Sequence, residues 1–66
     1  MSQTLFNEHQ AAEFLNIAAS TLRKWRFQGR GPEYRKIGGR LVRYPLPSLS
    51  RWIESQSAGG ERAEGR

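Results

Sequence analysis

Eight basic side chains, Arg23, Lys24, Arg26, Arg30, Arg35, Lys36, Arg40 and Arg43, fall within residues 23–43, with only Glu33 against them. The 22 residues ahead of that stretch hold Glu8 and Glu13 and no Lys or Arg. Cations at this density neutralise a regular array of negative charge and release its condensed counterions. A nucleic-acid duplex, with one charge per roughly 1.7 Å of axis, is such an array. Trp25, Phe27, Tyr34 and Tyr44 interleave with the cations, which gives the stretch apolar anchors that a solvated charged tail lacks. Nucleic acid is the partner this pattern fits, and a merely solubilising basic face is the plainer alternative.

Other chemistries have little to work with. The chain has no cysteine and a single histidine, His9, so neither a thiolate zinc site nor a histidine cluster can be assembled. No nucleophile–histidine–carboxylate set and no phosphate-cradling glycine loop is present, so neither enzyme activity nor a cofactor is expected. Gly29, Gly31, Gly38 and Gly39 read as turn residues. No apolar run nears the ~20 residues that span a membrane, and no signal-peptide pattern opens the chain. The expectation is a cytoplasmic, DNA-associated protein of the bacterial cytosol. RNA fits less well, because the aromatics fall on buried stripes and not on an open stacking sheet.

The 66 residues and their net charge of +5 allow one domain, close to the lower size limit for unaided folding. Its expected core is Leu5, Phe6, Phe14, Leu15, Ile17, Leu22, Trp25, Ile37, Val42, Tyr44, Leu49, Trp52 and Ile53. Asn7 with Gln10 has capping-box spacing, and Phe6 is placed as a hydrophobic staple. A helix is expected over 8–15, ended by Asn16, which tolerates left-handed backbone. Ile17 then plugs the core. A second helix runs from about Ala19 to Gln28, with Ser20 an alternative N-cap to Ala18, and Gly29, Gly31 and Pro32 end it. Tyr34–Ile37 and Arg40–Tyr44 form a hairpin around a two-residue Gly38-Gly39 turn. Pro47 opens a third helix carrying Leu49, Trp52 and Ile53. Residues 1–54 are expected to form the domain, and 55–66, without a large apolar side chain, a disordered tail.

Ala11, Ala12, Leu15, Asn16, Ile17, Leu22 and Trp25 resemble the packing pattern of a helix-turn-helix. Further on, Thr21-Leu22, Trp25, Gly29-x-Gly31-Pro32, Tyr34, Lys36-Ile37-Gly38, Arg40, Val42-Arg43-Tyr44 and Leu49-x-x-Trp52-Ile53 complete a wider likeness. Residues 5–54 resemble the small winged helix-turn-helix proteins of the excisionase (recombination directionality factor) and AlpA types, which are related to the DNA-binding domain of MerR regulators. That resemblance implies a small, mainly α, α+β fold in the order helix, helix, β-hairpin, helix. It also implies sequence-specific duplex binding, either to help an integrase excise DNA or to regulate a prophage or plasmid gene. Self-association on DNA and a site-specific recombinase are the partners it implies. The long dimerisation helix and effector domain of MerR regulators are not in this sequence, so no small-molecule ligand is expected.

At 100° per residue, Leu22 and Trp25 mark the buried side of the second helix, and Ser20 and Phe27 point away from it. The second helix of this motif enters the major groove with its N-terminal part nearest the bases. Ser20 and Arg23 are therefore candidates for base readout, with Ala19 at the rim. Thr21, Lys24 and Arg26 are placed at phosphates, Arg26 alternatively in an ion pair with Glu13 or Glu54. Phe27 either touches a thymine methyl or sugar or, the favoured reading, is covered by the hairpin or the Arg30 segment. The two-residue turn pairs Ile37 with Arg40 and puts Ile37, Val42 and Tyr44 on the core face. Tyr34, Lys36, Leu41 and Arg43 fall on the outer face, so the wing candidates are Tyr34, Lys36, Arg40 and Arg43. Trp25 and Trp52 are read as core, and His9 and Glu13 as an i, i+4 surface pair.

Overall fold

The computed structural model describes residues 4–57. Its elements run β1 (Leu5–Phe6), α1 (Glu8–Leu15), α2 (Ala19–Phe27), β2 (Arg35–Ile37), β3 (Leu41–Pro45) and α3 (Leu46–Glu54). The architecture is the small α+β arrangement of a winged helix-turn-helix, with three helices and an antiparallel sheet in the order β1-β3-β2.

Local chemistry accounts for the first two helices. Asn7 accepts the Gln10 N–H on Oδ1 at 2.8 Å, and the Gln10 side chain accepts the Asn7 N–H at 2.9 Å. This closes the capping box, a feature worth about 0.5–2 kcal/mol. Phe6 lies in β1, packs against the buried cluster that includes Ala11, and sets its ring 5.7 Å from that of Phe14. Asn16 ends α1 at φ 61°, ψ 45°, and its left-handed backbone turns the chain through Ile17 into α2. Helix α2 begins at Ala19 with Ala18 as an N-cap that offers no side-chain bond. Ser20 therefore sits inside the first turn and is not the cap.

The core is smaller than the sequence suggested. Ala11, Ala12, Leu22, Tyr44 and Leu49 are buried, with Phe6, Leu15, Ile17, Ala19, Trp25, Tyr34 and Val42 packed around them. Small residues at 11 and 12 let α1 approach its neighbours closely. The rings of Trp25 and Trp52 meet at a tilt of 43°, centroids 5.3 Å apart, and join α2 to α3, a contact worth ~0.5–1.5 kcal/mol beyond its area. Leu5, Phe14, Ile37 and Ile53, all expected in the core, are instead exposed. Beyond α3, the Ser55 hydroxyl and the Gln56 amide donate to the Trp52 carbonyl at 2.7 and 3.1 Å. Residues 55 and 56 thus close the helix end, and residues 58–66 of the expected tail lie outside the described residues.

The hairpin differs from expectation by one residue. Ile37 pairs with Leu41, Lys36 with Val42 and Arg35 with Arg43, so the turn holds three residues, Gly38, Gly39 and Arg40. Both glycines take positive φ, 64° and 83°, and the Arg40 N–H bonds the Ile37 carbonyl at 3.3 Å. Since successive side chains alternate, a one-residue slip exchanges the faces of one strand. Ile37 moves to the outer face beside Leu41, and the two are 43% and 51% exposed. Tyr34 moves inward, its ring 5.9 Å from that of Tyr44. On the other edge of β3, Leu5 pairs with Pro45 and Phe6 with Tyr44, and the Leu46 N–H reaches the Thr4 carbonyl at 3.0 Å.

Candidate nucleic-acid interface

Helix α2 presents one continuous exposed stripe. Ser20, Arg23, Lys24 and Phe27 are all exposed, and at 100° per residue they fall within an arc of about 100°. Leu22 and Trp25 anchor the opposite side, with Leu22 fully buried. Ala19 and Thr21 flank the stripe, half-buried. Phe27 is 76% exposed, so the expected cover is absent. The chain after Gly29 folds over Trp25 instead: the Arg30 N–H bonds the Trp25 carbonyl at 2.8 Å, and the Arg30 guanidinium lies 5.9 Å from the Trp25 ring.

Arg26 faces away from the stripe into a polar node between the helices and the sheet. Its Nη2 donates to Glu8 Oε2 at 3.0 Å, and both side chains are only 16% exposed. The ion pair weighed for Arg26 therefore forms, but with Glu8 and not with Glu13 or Glu54. Its guanidinium also approaches the rings of Phe27, at 4.9 Å, and Tyr34, at 5.9 Å. Burial alone would lower the Arg26 pKa, but the Glu8 carboxylate, with the nearby Tyr44 hydroxyl, outweighs it and holds the charge more firmly than usual. Tyr44 responds the other way. Burial pushes its phenol above the ordinary tyrosine value, although Arg26 pulls against that shift. The Tyr44 hydroxyl and Arg26 Nε are buried without hydrogen-bond partners.

Glu8 binds a second arginine. Arg23 Nε donates to Glu8 Oε1 at 3.2 Å while the Arg23 side chain stays 46% exposed. One carboxylate thus spans the stripe and the interior. Sequence reasoning missed it, because the contacts lie 15 and 18 residues apart in the chain and no helical spacing signals them. The only hint was that Glu8 is an acid in a stretch otherwise poor in charge. The pair expected between His9 and Glu13 is not among the ion pairs of the described residues, which join Glu8 to Arg23 and Arg26 and Glu33 to Arg51.

The wing is partly rearranged. Lys36 and Arg40 are exposed, Arg40 at the turn, but Lys36 stands opposite Val42 and so leaves the outer face together with Tyr34. Arg43 is half-buried, and its Nη1 donates to the Val42 carbonyl at 2.7 Å. Tyr34 is packed inward and no longer belongs to the outer surface. Arg35, not singled out from the sequence, is exposed and stands opposite Arg43 on the outer face.

An uncapped helix with a cationic stripe, set beside a basic hairpin, agrees with the comparison to known families. The sequence model of one family, described as a helix-turn-helix domain, matches residues 6–57. The chain belongs to that family. It is a small helix-turn-helix protein, and sequence-specific DNA binding is the activity the family supports. Such domains are typically not enzymes. A search of curated proteins finds no match. Among the described residues no helix is long and apolar enough to cross a membrane.

Proposed function

We propose that this helix-turn-helix protein binds duplex DNA with α2 in the major groove and the β2–β3 wing on the flanking backbone. The observation that carries this reading is the α2 stripe, where Ser20, Arg23 and Lys24 are exposed together on a helix whose other side is anchored by Leu22. Arg23 and Ser20 read base edges, Arg favouring the O6/N7 edge of guanine. Lys24 and Thr21 meet phosphates, and the free N–H groups at Ala19 add a helix N-terminus to those contacts. Phe27 supplies an apolar contact to a thymine methyl or a sugar. Arg40 and Arg43, joined by Arg35, hold the adjacent backbone or minor groove, and Lys36, exposed on the other face of β2, adds positive charge to the wing. Arg26 supports the helix from behind.

A single module of this size buries about 600–1,000 Å² on DNA and binds modestly. Binding in several copies to repeated sites is therefore the favoured mode. Together with the likeness of residues 5–54 to excisionases, this supports a recombination directionality factor that bends DNA and directs integrase-mediated excision. Bending a 20–30 base-pair site costs on the order of 1–6 kcal/mol, which several cooperating copies can supply. The second reading, an AlpA-like regulator of a prophage or plasmid gene, rests on the same contacts. Titrations on one, two and three tandem copies of a selected site, with gel mobility measured as the site moves along a fragment, separate the two. Steep filling with a bend supports the directionality factor. Independent filling of an unbent single site supports the regulator.

A further inference from the structure

We propose that Glu8 is a positioning residue for sequence readout, presenting the Arg23 guanidinium end-on to the base edges while keeping it from phosphate. The inference rests on the assignment of Arg23 to base readout. Its basis is the way the Glu8 carboxylate is divided. Oε2 is held by Arg26 Nη2 at 3.0 Å, and Oε1 takes the Nε–H of Arg23 at 3.2 Å. Arg26 cannot easily move, since it is mostly buried and lies against the rings of Phe27 and Tyr34. Glu8 is equally fixed, as the first residue of a helix whose capping box is closed just before it. The one mobile member is Arg23, and it is gripped at Nε.

The choice of nitrogen matters. An arginine has five N–H donors, and a guanine edge is read by two of them in parallel. Gripping Nε uses the donor nearest the backbone and leaves both Nη groups unoccupied; among the described residues neither has a hydrogen-bond partner. The side chain is then ordered before DNA arrives, which lowers the entropy lost on binding. The carboxylate acts a second way. Placed beside Arg23, it repels phosphate and offsets the arginine's charge, so random DNA gains little from Arg23 while a correctly placed guanine gains two directed bonds. Discrimination arises from favouring one site and from disfavouring the others.

The test compares the selected duplex with one changed at the base pair that Arg23 reads, using wild-type protein, Glu8→Gln, Arg23→Ala and the double variant. Glu8→Gln is expected to lower discrimination at that base pair on the order of tenfold. Affinity for random DNA is expected to hold or rise, with a steeper salt dependence as the repelling charge is lost. In the Arg23→Ala background, Glu8→Gln should change discrimination no further. A merely structural Glu8 would weaken both duplexes alike, and that result overturns the proposal. If Arg23→Ala abolishes discrimination while Glu8→Gln retains it, the positioning role fails and the base-readout assignment survives. If Arg23→Ala itself leaves discrimination intact, the assignment fails and the positioning role with it. Thermal unfolding of each variant shows whether it is folded. Should Glu8→Gln not fold, Glu8→Asp, which keeps the charge but is one methylene short, must lower the same discrimination, and unaltered discrimination overturns the proposal.

Discussion

At the scale of single residues, exposure and burial assign opposite roles to neighbours in α2. Phe27 is 76% exposed and supports little of the fold, so Phe27→Ala should shift the urea midpoint slightly while weakening binding to duplex DNA. A large loss of stability with unchanged affinity would mean that the ring is covered in solution. Tyr44 shows the reverse. Its hydroxyl is buried beside Arg26 and Glu8, and burial raises its pKa above the ordinary value near 10. Between that value and the raised one, the folded chain keeps a proton that the unfolded chain has lost. The contribution to stability is therefore complete below about pH 10 and fades as pH climbs through the folded pKa. Denaturation at pH 8 and at pH 10.5 should show a smaller alkaline loss for Tyr44→Phe than for the wild-type chain. Equal losses would place the phenol in a solvated setting.

At the scale of elements, both helices of the motif were legible because local signals agree with tertiary packing. Asn7 and Gln10 cap α1, Asn16 takes the left-handed turn, and the apolar spacing of α2 marks its buried side. The wing was less legible. Two adjacent glycines match a two-residue turn, yet Arg40 joins them, and that one extra residue exchanges Ile37 and Tyr34 between faces. Strand β1 escaped notice because two residues show no alternation; its pairing is dictated by the free edge of β3. Gly31 ties the α2 exit to the core. It sits at φ 89°, and an added Cβ would lie 3.2 Å from the Trp25 Cβ. Gly31→Ala should therefore cost about 1–2 kcal/mol in thermal or urea unfolding, and a neutral change would show that the segment relaxes freely. Arg40 stands exposed at the wing turn. Arg40→Ala should weaken all duplexes alike and lower the slope of log K against log salt by about one. A change confined to one base pair would make the turn a base reader.

At the scale of the whole molecule, charge asymmetry decides orientation. The basic run from α2 through the wing provides the surface for DNA, and of the two acids of α1 Glu8 reaches it through Arg23. The basic run was readable from the order of residues. The Glu8 node was not, because which acid meets Arg26 depends on how α1 lies across α2. Phe27 was misjudged for a similar reason: the chain beyond Gly29 had two aromatic rings within reach and packs over Trp25. A core of five buried side chains leaves a small, low-area module, which is why binding in multiple copies is favoured. The most direct measurement is selection of bound duplexes from a random DNA pool, run in parallel with wild-type protein and Arg23→Ala. Readout by the α2 stripe predicts a short recurring motif for the wild type and loss of preference at one base pair for the variant, a cost of ~1–3 kcal/mol on the original site. Recovery of no motif, or of the same motif by both proteins, would contradict it.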